Sequence, residues 1–396
     1  MIQLPSALAP QKRLLSLDVL RGLTIAWMIM VDNSTSSAWA QMQHADWNGF
    51  TATDLVFPTF LFVVGVSIVF STEARLRRGD SRAKLAVHAV RRGVVLFLLG
   101  VFINGFPHFH LQHWRIYGIL QRIAVCYLVV ALVYLLDRRV WTKVALLVLL
   151  LIGYWALVRW VPVPGAGVPG RDVTFLDKDQ NIVAWVDRQL LPGHLYEDST
   201  SANPGNPHNT RDPEGLLSDI PAIATTLLGL LTALWLRKWL PTRIKTLGLI
   251  GGAAACLALG YLWSIWFPLN KKMWTSSYVL WAAGWSLLIF AVIYWAMEQR
   301  GWGQKGWSRA LAWPWLVFGS NAIVAFVIND ELFVLCSQIH FTDAGKPSNP
   351  LHYVFQHVFM HIPDAGWRSF AYAIVYTAVC FIPLWVLYRR KIFLKV

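Results

Sequence analysis

Charge is scarce in this sequence: only 14% of its 396 residues are Asp, Glu, Lys or Arg, against 56% that are apolar. A water-soluble fold of this length carries more charge, so the composition fits lipid as solvent. Cysteine is scarce too. Cys126, Cys256, Cys336 and Cys380 show no paired spacing, which excludes a zinc site or a disulfide framework and leaves them as core residues of apolar helices. The sequence has no P-loop and no G-x-S-x-G nucleophile elbow. It also lacks an internal repeat, which argues against an inverted-repeat transporter. The opening Met1 to Lys12 does not have the charged-then-apolar order of a cleaved signal peptide, so the run from Leu14 to Val31 is expected to stay as a first helix. The net charge of +14 is not gathered on one water-facing surface, which excludes nucleic acid as a partner.

What the sequence does have is a succession of apolar runs, such as Leu216 to Leu236 and Ser277 to Met297, long enough to cross roughly 30 Å of hydrocarbon as helices. The expected fold class is all-α, a polytopic membrane bundle of about ten transmembrane helices. The spans are expected at 14–31, 54–72, 87–104, 117–136, 142–161, 216–236, 246–266, 276–297, 311–328 and 367–388. Twenty-two Trp suit interfacial belts. Basic residues crowd alternate loops: Lys12 and Arg13, Arg75 to Arg92, Arg138 to Lys143, Arg237 to Lys245, Arg300 to Arg309, and Arg389 to Lys395. By the positive-inside rule these segments and both termini are cytoplasmic. The loops 32–53, 104–116, 162–215, 267–275 and 329–367 then face outward. Loop 162–215, Pro/Gly-rich at both ends, is expected to fold over the bundle as a lid, and the LFVLC and YVFQHVFMH pieces of 329–366 to form short helices.

The unusual polar chemistry lies in those outward loops. Asn33 ends the first helix, His44 sits mid-loop and Asp54 opens the second helix, so three polar groups meet at one membrane face. Histidine suits proton transfer near neutral pH and Asn can orient a substrate or donate to an oxyanion, while an interfacial His and an N-cap Asp are the plain alternative. Asp18 and Arg21 share one helical face and are expected to pair with each other or with another helix. Arg122 lies well inside an apolar span, beside Gln121, and needs a partner such as Asp54 or Asp18. The DPEG turn, Asp212 to Gly215, can cap the following helix; Asn321 is a further buried polar group needing a partner. His108, His110 and His113, and His357 with His361, lack a Cys or Glu to complete a ligand set, so no metal is expected.

In order, the segments SLDVLRG, HADWNGFTATDLVFPTFLFVVGVSI, RIYGILQRIAVCY, VPVPG, HLY at His194, DPEGLL, FPLNKKMWTSSYV and YRRKIFLKV resemble the heparan-alpha-glucosaminide N-acetyltransferase family of transmembrane acetyltransferases. The resemblance runs from Leu14 to the last residue and suggests a compact bacterial-type member, one transmembrane acyltransferase domain over 1–396 in a bacterial inner membrane. It implies acetyl transfer from cytosolic acetyl-CoA to the amine of a glucosamine-type sugar across the membrane. His44 would be catalytic base or acetyl acceptor, with Asn33 as its partner eleven residues earlier. Asp54, Glu214, Asn270, Lys271 and Trp274 would contact the sugar. Arg122 and Gln121 would line the path of the CoA arm, Arg91 and Arg92 would meet its phosphates, and a homodimer would be the assembly. Two rivals are carried: a glycan O-acetyltransferase, and an amino-sugar transporter with Asp18, Arg21 and Arg122 along its path.

Overall fold

A computed structural model describes residues 14–394 apart from 111–113, 197–210 and 304–305. His113, most of the SANPGNPHNTRDPEG stretch and the basic positions Lys12, Arg13, Lys305 and Lys395 lie outside the described residues. In chain order the elements are α1 (Leu15–Asp32), α2 (Val56–Arg77), α3 (Arg82–Gly105), α4 (Ile119–Leu136), α5 (Val140–Trp160), α6 (Ile182–Leu190), α7 (Asp219–Leu236), α8 (Thr242–Ser264), α9 (Ser276–Tyr294), α10 (Gly306–Ser320), α11 (Ala322–Gln338), the small hairpin β1 (Phe341–Asp343) and β2 (Lys346–Ser348), α12 (Pro350–Val354) and α13 (Ala365–Arg389). The protein is an all-α, multi-pass membrane bundle. Among the described residues, eight helices are long and apolar enough to cross a membrane, or nine if α10 and α11 count as one span. Helix α1 stands outside that count because its eighteen residues hold Asp18, Arg21 and Asp32.

Burial sorts the spans into two tiers. In α2, α4, α7 and α9, 61–67% of the most apolar stretch is buried, against 22% in α3, α5, α8 and α13. The first four are the core and the second four face outward, toward lipid. Glycines set the closest crossings. A Cβ on Gly65 of α2 would stand 1.9 Å from the Thr226 carbonyl oxygen of α7, and one on Gly229 of α7 2.0 Å from that of Phe62. Gly22 and Gly319 do the same between α1 and α10, at 1.7 Å and 2.2 Å from Trp315 and Asp18 oxygens. Lipid tails are as apolar as leucine, so backbone-to-backbone contact through small residues replaces the hydrophobic effect as the packing force.

The expected straight span at 311–328 is a broken one. Helices α10 and α11 meet at 77°, and the break falls at Asn321, whose backbone leaves the helical region at φ −133° and ψ 49°. Its amide donates to the Ile392 carbonyl at 3.0 Å and accepts from the Leu394 N–H at 2.9 Å, so the partner this buried polar group needed is the C-terminal backbone. At the same end of the bundle Arg21 donates to Asp18 at 3.3 Å, as the spacing suggested, and also to Ser67 and the Gly319 carbonyl. Glu73 ties the basic ends of α2, α4 and α7 by accepting from Tyr134, Arg138 and Arg237.

The opposite end carries the long loop as a lid. Val163, Leu176, Ile182 and Val183 pack with Tyr154, Phe267 and Met273 into a small apolar cluster of their own. Within the lid, GAGVPG (165–170) folds as turns, with φ of 83°, 97° and 77° at its three glycines, and no strand or helix flanks it to make a phosphate cradle. YVFQHVFMH runs through the short α12 and one wider helical turn, as expected, whereas LFVLC is not a short helix of its own but the second half of α11.

Candidate active site

The loop between α1 and α2 is irregular but closely held. Thr53 and Thr51 donate to the Gln41 and Gln43 carbonyls, Gly49 N–H reaches Leu269, and the Trp47 indole donates to Leu176 of the lid at 2.7 Å. These ties fix His44. Its Nδ1 lies 2.7 Å from Asp54 Oδ1, and Asp54 is 1% exposed. The other carboxylate oxygen, Oδ2, accepts from Ala45 N–H, Thr51 N–H and Thr51 hydroxyl at 3.0–3.2 Å. Such a carboxylate is a steady acceptor for Nδ1–H, and that tautomer puts the ring's lone pair on Nε2. The His44 ring is 44% exposed. Even so, burial and then the Lys271 ammonium hold its pKa below the ordinary histidine value, against the Asp54 hydrogen bond that raises it. The resting imidazole is therefore neutral at pH 7, the form that accepts a proton.

Nε2 looks toward Lys271 Nζ, 3.4 Å away. Both line a cavity of about 70 Å³ between α1, α2, α4 and α11, together with Asp32, Glu214 and apolar side chains that include Ile119, Leu120 and Phe326. That space suits an acetyl-sized group or a few waters, and is far below what a drug-sized ligand occupies. A larger cavity of about 630 Å³ lies against it, sharing Thr24 and Val56. Its wall holds no carboxylate, amine or imidazole, so size does not mark the chemistry here.

Two arginines brace the walls. Arg115 grips Asp212 through both Nε and Nη2, at 2.9 Å and 2.6 Å, and reaches Glu214 at 2.7 Å. Burial raises the Glu214 carboxyl, but Arg115, Lys271 and Arg122 outweigh it and keep the group below the usual carboxylate range. The DPEG turn therefore holds an arginine; it does not cap α7, which has no side-chain cap. Arg122 is fully buried. Its partner is neither Asp54 nor Asp18 but Asp219, at 2.9 Å, with further bonds to the Pro213 and Gly215 carbonyls and to Ser218 Oγ.

Of the residues expected at the site, His44, Glu214 and Lys271 share the cavity and the others take different places. Asp54 is spent on His44 and is not free for a sugar. Asn270 is 0% exposed, bound to Asn48 and the Met273 N–H, and Trp274 is 0% exposed beneath Phe57 and Tyr278 with its indole on Thr225. Both stiffen the wall from behind because the turn before α9 folds inward. Arg122 likewise has four of its five N–H groups committed inside the wall. Asn33 donates its amide to Ile29 O at 2.8 Å and Asn329 Oδ1 at 2.7 Å. Two carbonyl acceptors fix the amide's orientation, so Asn33 presents only its oxygen. Gln121 Oε1 and Arg92 Nε are buried with no partner among the described residues. Arg92 lies over the Tyr127 ring at 4.6 Å, and Arg91 is exposed. No group of three His, Cys, Asp or Glu side chains among the described residues could hold a metal. The sequence reading missed Asp32, Asp219 and Asn329. A charged residue ending an apolar run was the available signal for Asp32.

The geometry defines a class: a multi-pass membrane protein with an imidazole–carboxylate pair opening on a small polar cavity at one end of its helices. Residues 13–163 match the family model described as heparan-alpha-glucosaminide N-acetyltransferase, catalytic. The chain is 30% identical to human heparan-alpha-glucosaminide N-acetyltransferase across 99% of its own length and 61% of the human protein. It is 29% identical to the mouse protein of that name, over 97% and 60%. The similarity expected from the ordered motifs is thus found over nearly the whole chain, which spans about three fifths of the length of these relatives. The matched stretch includes Asn33, His44, Asp54 and Arg122 and stops short of Glu214 and Lys271.

Proposed function

We propose that this chain is a membrane N-acetyltransferase that moves the acetyl group of cytosolic acetyl-CoA to the amine of a glucosamine-type sugar on the far side of a bacterial inner membrane, with both termini cytoplasmic. One observation carries the reading: a neutral imidazole, held at Nδ1 by Asp54, aims Nε2 into a cavity at the end of the bundle opposite the basic loops. The names of the related proteins supply the reaction class.

Acetyl-CoA would supply an activated thioester carbonyl. His44 Nε2 accepts a proton as the free amine attacks, and Asp54 stabilises the imidazolium that forms. The Lys271 ammonium, 3.4 Å from Nε2, would meet the developing oxyanion, and Glu214, which lines the same cavity, would accept from sugar hydroxyls. Asn33, tied to Ile29 and Asn329, holds the end of α1 in place beside the cavity. Two orphaned groups fit a CoA arm entering from the basic side: Gln121 Oε1 can accept from an amide N–H and Arg92 Nε, beside Arg91, can donate to a phosphate. Arg122 shapes that path by fixing the start of α7. Because the His44 pKa is lowered, the rate holds to more acidic pH than an ordinary histidine would allow.

The test is transfer from radiolabelled acetyl-CoA to glucosamine by purified protein in liposomes. Labelled N-acetyl product from the wild type and none from His44→Ala supports the reading. Activity that survives in the variant removes His44 from the mechanism.

A further inference from the structure

Three carboxylates stand around the His44 ring, and two have their charge spent. Asp54 answers His44, Ala45 and Thr51, and Glu214 answers Arg115. The third is Asp32, the last residue of α1, which lines the cavity with His44, Glu214 and Lys271 and has no hydrogen-bond or ion-pair partner among the described residues. Its position is not loose. The neighbouring Asn33 is tied to Ile29 and Asn329, and Asn329 also accepts at its carbonyl from Tyr376 at 3.0 Å, so α1 ends in a fixed place against α11 and α13. The Asp32 charge acts on Asp330, next on α11, which among the described residues is bonded to Asn329 at 3.2 Å. Among the described residues, Lys271 is the cation that acts on Asp32, from across the cavity beside Nε2.

We propose that Asp32 receives the acceptor's ammonium in the cavity shared with His44, and so selects amino sugars over their neutral hydroxyl counterparts. This deepens the acetyltransferase reading and rests on it. Asp32 is exposed where it lines the cavity, so a ligand can reach its carboxylate, and an ammonium there gains a charge-assisted hydrogen bond that a neutral hydroxyl cannot match. The bound ammonium loses one proton to solvent, and the resulting amine forms a C–N bond to the thioester carbonyl as the C–S bond breaks. His44 Nε2 takes the second proton during attack and passes it to the leaving sulfur. Asp32 keeps hold of a remaining N–H while the nitrogen turns toward the carbonyl.

The experiment measures binding and turnover separately. Calorimetry without acetyl-CoA compares glucosamine with glucose on wild type, Asp32→Asn and Asp32→Glu. The expected result is that wild type prefers glucosamine and Asp32→Asn binds it roughly tenfold to a hundredfold more weakly, the span of one charge-assisted hydrogen bond. Asp32→Glu should recover part of the loss. In turnover, Asp32→Asn should raise the KM for glucosamine while the KM for acetyl-CoA stays in place, a split that a merely structural role would not give. Equal glucosamine affinity in wild type and Asp32→Asn, or no preference over glucose in the wild type, overturns the proposal. If glucosamine binds through Asp32 but no acetyl product forms, the transferase reading fails and the binding assignment stands.

Discussion

The protein holds two charge clusters, one closed around Arg122 and one around His44, and they differ in what is left over. Around Arg122, the Asp219 carboxylate, two carbonyls and the Ser218 hydroxyl take four of the five guanidinium N–H groups, and Tyr117 donates to the other Asp219 oxygen at 3.0 Å. Around His44, Nδ1 is fixed by Asp54 while Nε2 meets only the Lys271 ammonium at 3.4 Å among the described residues, and both line a small cavity with the unpaired Asp32 carboxylate. The first cluster is closed and works as a brace. The second is incomplete, and what it lacks has the shape of a substrate. An intramembrane charge is a functional hypothesis by default, but counting its unspent donors and acceptors decides which kind of charge it is.

The sharpest way to break this contrast is to remove each centre. His44→Ala should lower kcat by roughly 10²- to 10⁴-fold, the range for a positioned general base, with no loss of melting temperature in detergent. Arg122→Met should do the reverse. It leaves Asp219 buried and unpaired, at a cost of about 3–5 kcal/mol in stability, read as a large drop in melting temperature and in folded yield. If Arg122→Met folded normally and lost only turnover, the division into brace and site would fail.

Asp54→Asn tests the hinge between the two ideas, because Asp54 is as buried as the brace but serves the site. An amide there can no longer hold an imidazolium, and by flipping it can impose the wrong tautomer. A fall in kcat of about 10²-fold is expected, with the acceptor KM little changed, since in this structure Asp54 does not touch the cavity. A dominant rise in acceptor KM would instead return Asp54 to the sugar-contact role that its sequence position suggested.

How much of this could be read from the sequence depended on the range of the interaction. Spans were legible because apolar runs of about 20 residues need no partner to be recognised. The break at Asn321 was not, because its cause is a bond to backbone 71 residues away. His44 and Asp54 were both picked out, yet their pairing was missed. They are ten residues apart in an irregular loop, where no helical or strand period says which side chains meet. Arg122 was correctly seen to need an anion. The expected partners were acids in already conspicuous motifs, whereas Asp219 lies 97 residues later, inside a span read only as apolar. Asn270 and Trp274 show the opposite error: their residue types suit sugar recognition, and only the inward fold of the turn shows that they point into the core.

The smallest effect concerns the lid and extends the contrast to a third buried charge. Asp187 on α6 accepts from the Leu216 N–H at 3.0 Å through Oδ1, while Oδ2 is buried with no partner among the described residues and presses against Gly215. Burial first, then the Asp212 and Asp219 charges, push its pKa up to about 7, against the Leu216 bond and Arg122. A raised folded pKa means that the folded lid keeps a proton where the unfolded chain has lost it. Stability is then full below about pH 4 and falls as pH rises toward 7, the sign set by the folded state binding more protons. Asp187→Asn keeps an oxygen for Leu216 and cannot ionise. The variant should therefore melt at or above the wild-type temperature at pH 8, match it near pH 4, and lose the part of the pH slope between them that this carboxyl supplies, on the order of 1–3 kcal/mol. Parallel melting curves for the two proteins across that range would mean that the lid accommodates the anion, and that this third charge belongs with the brace.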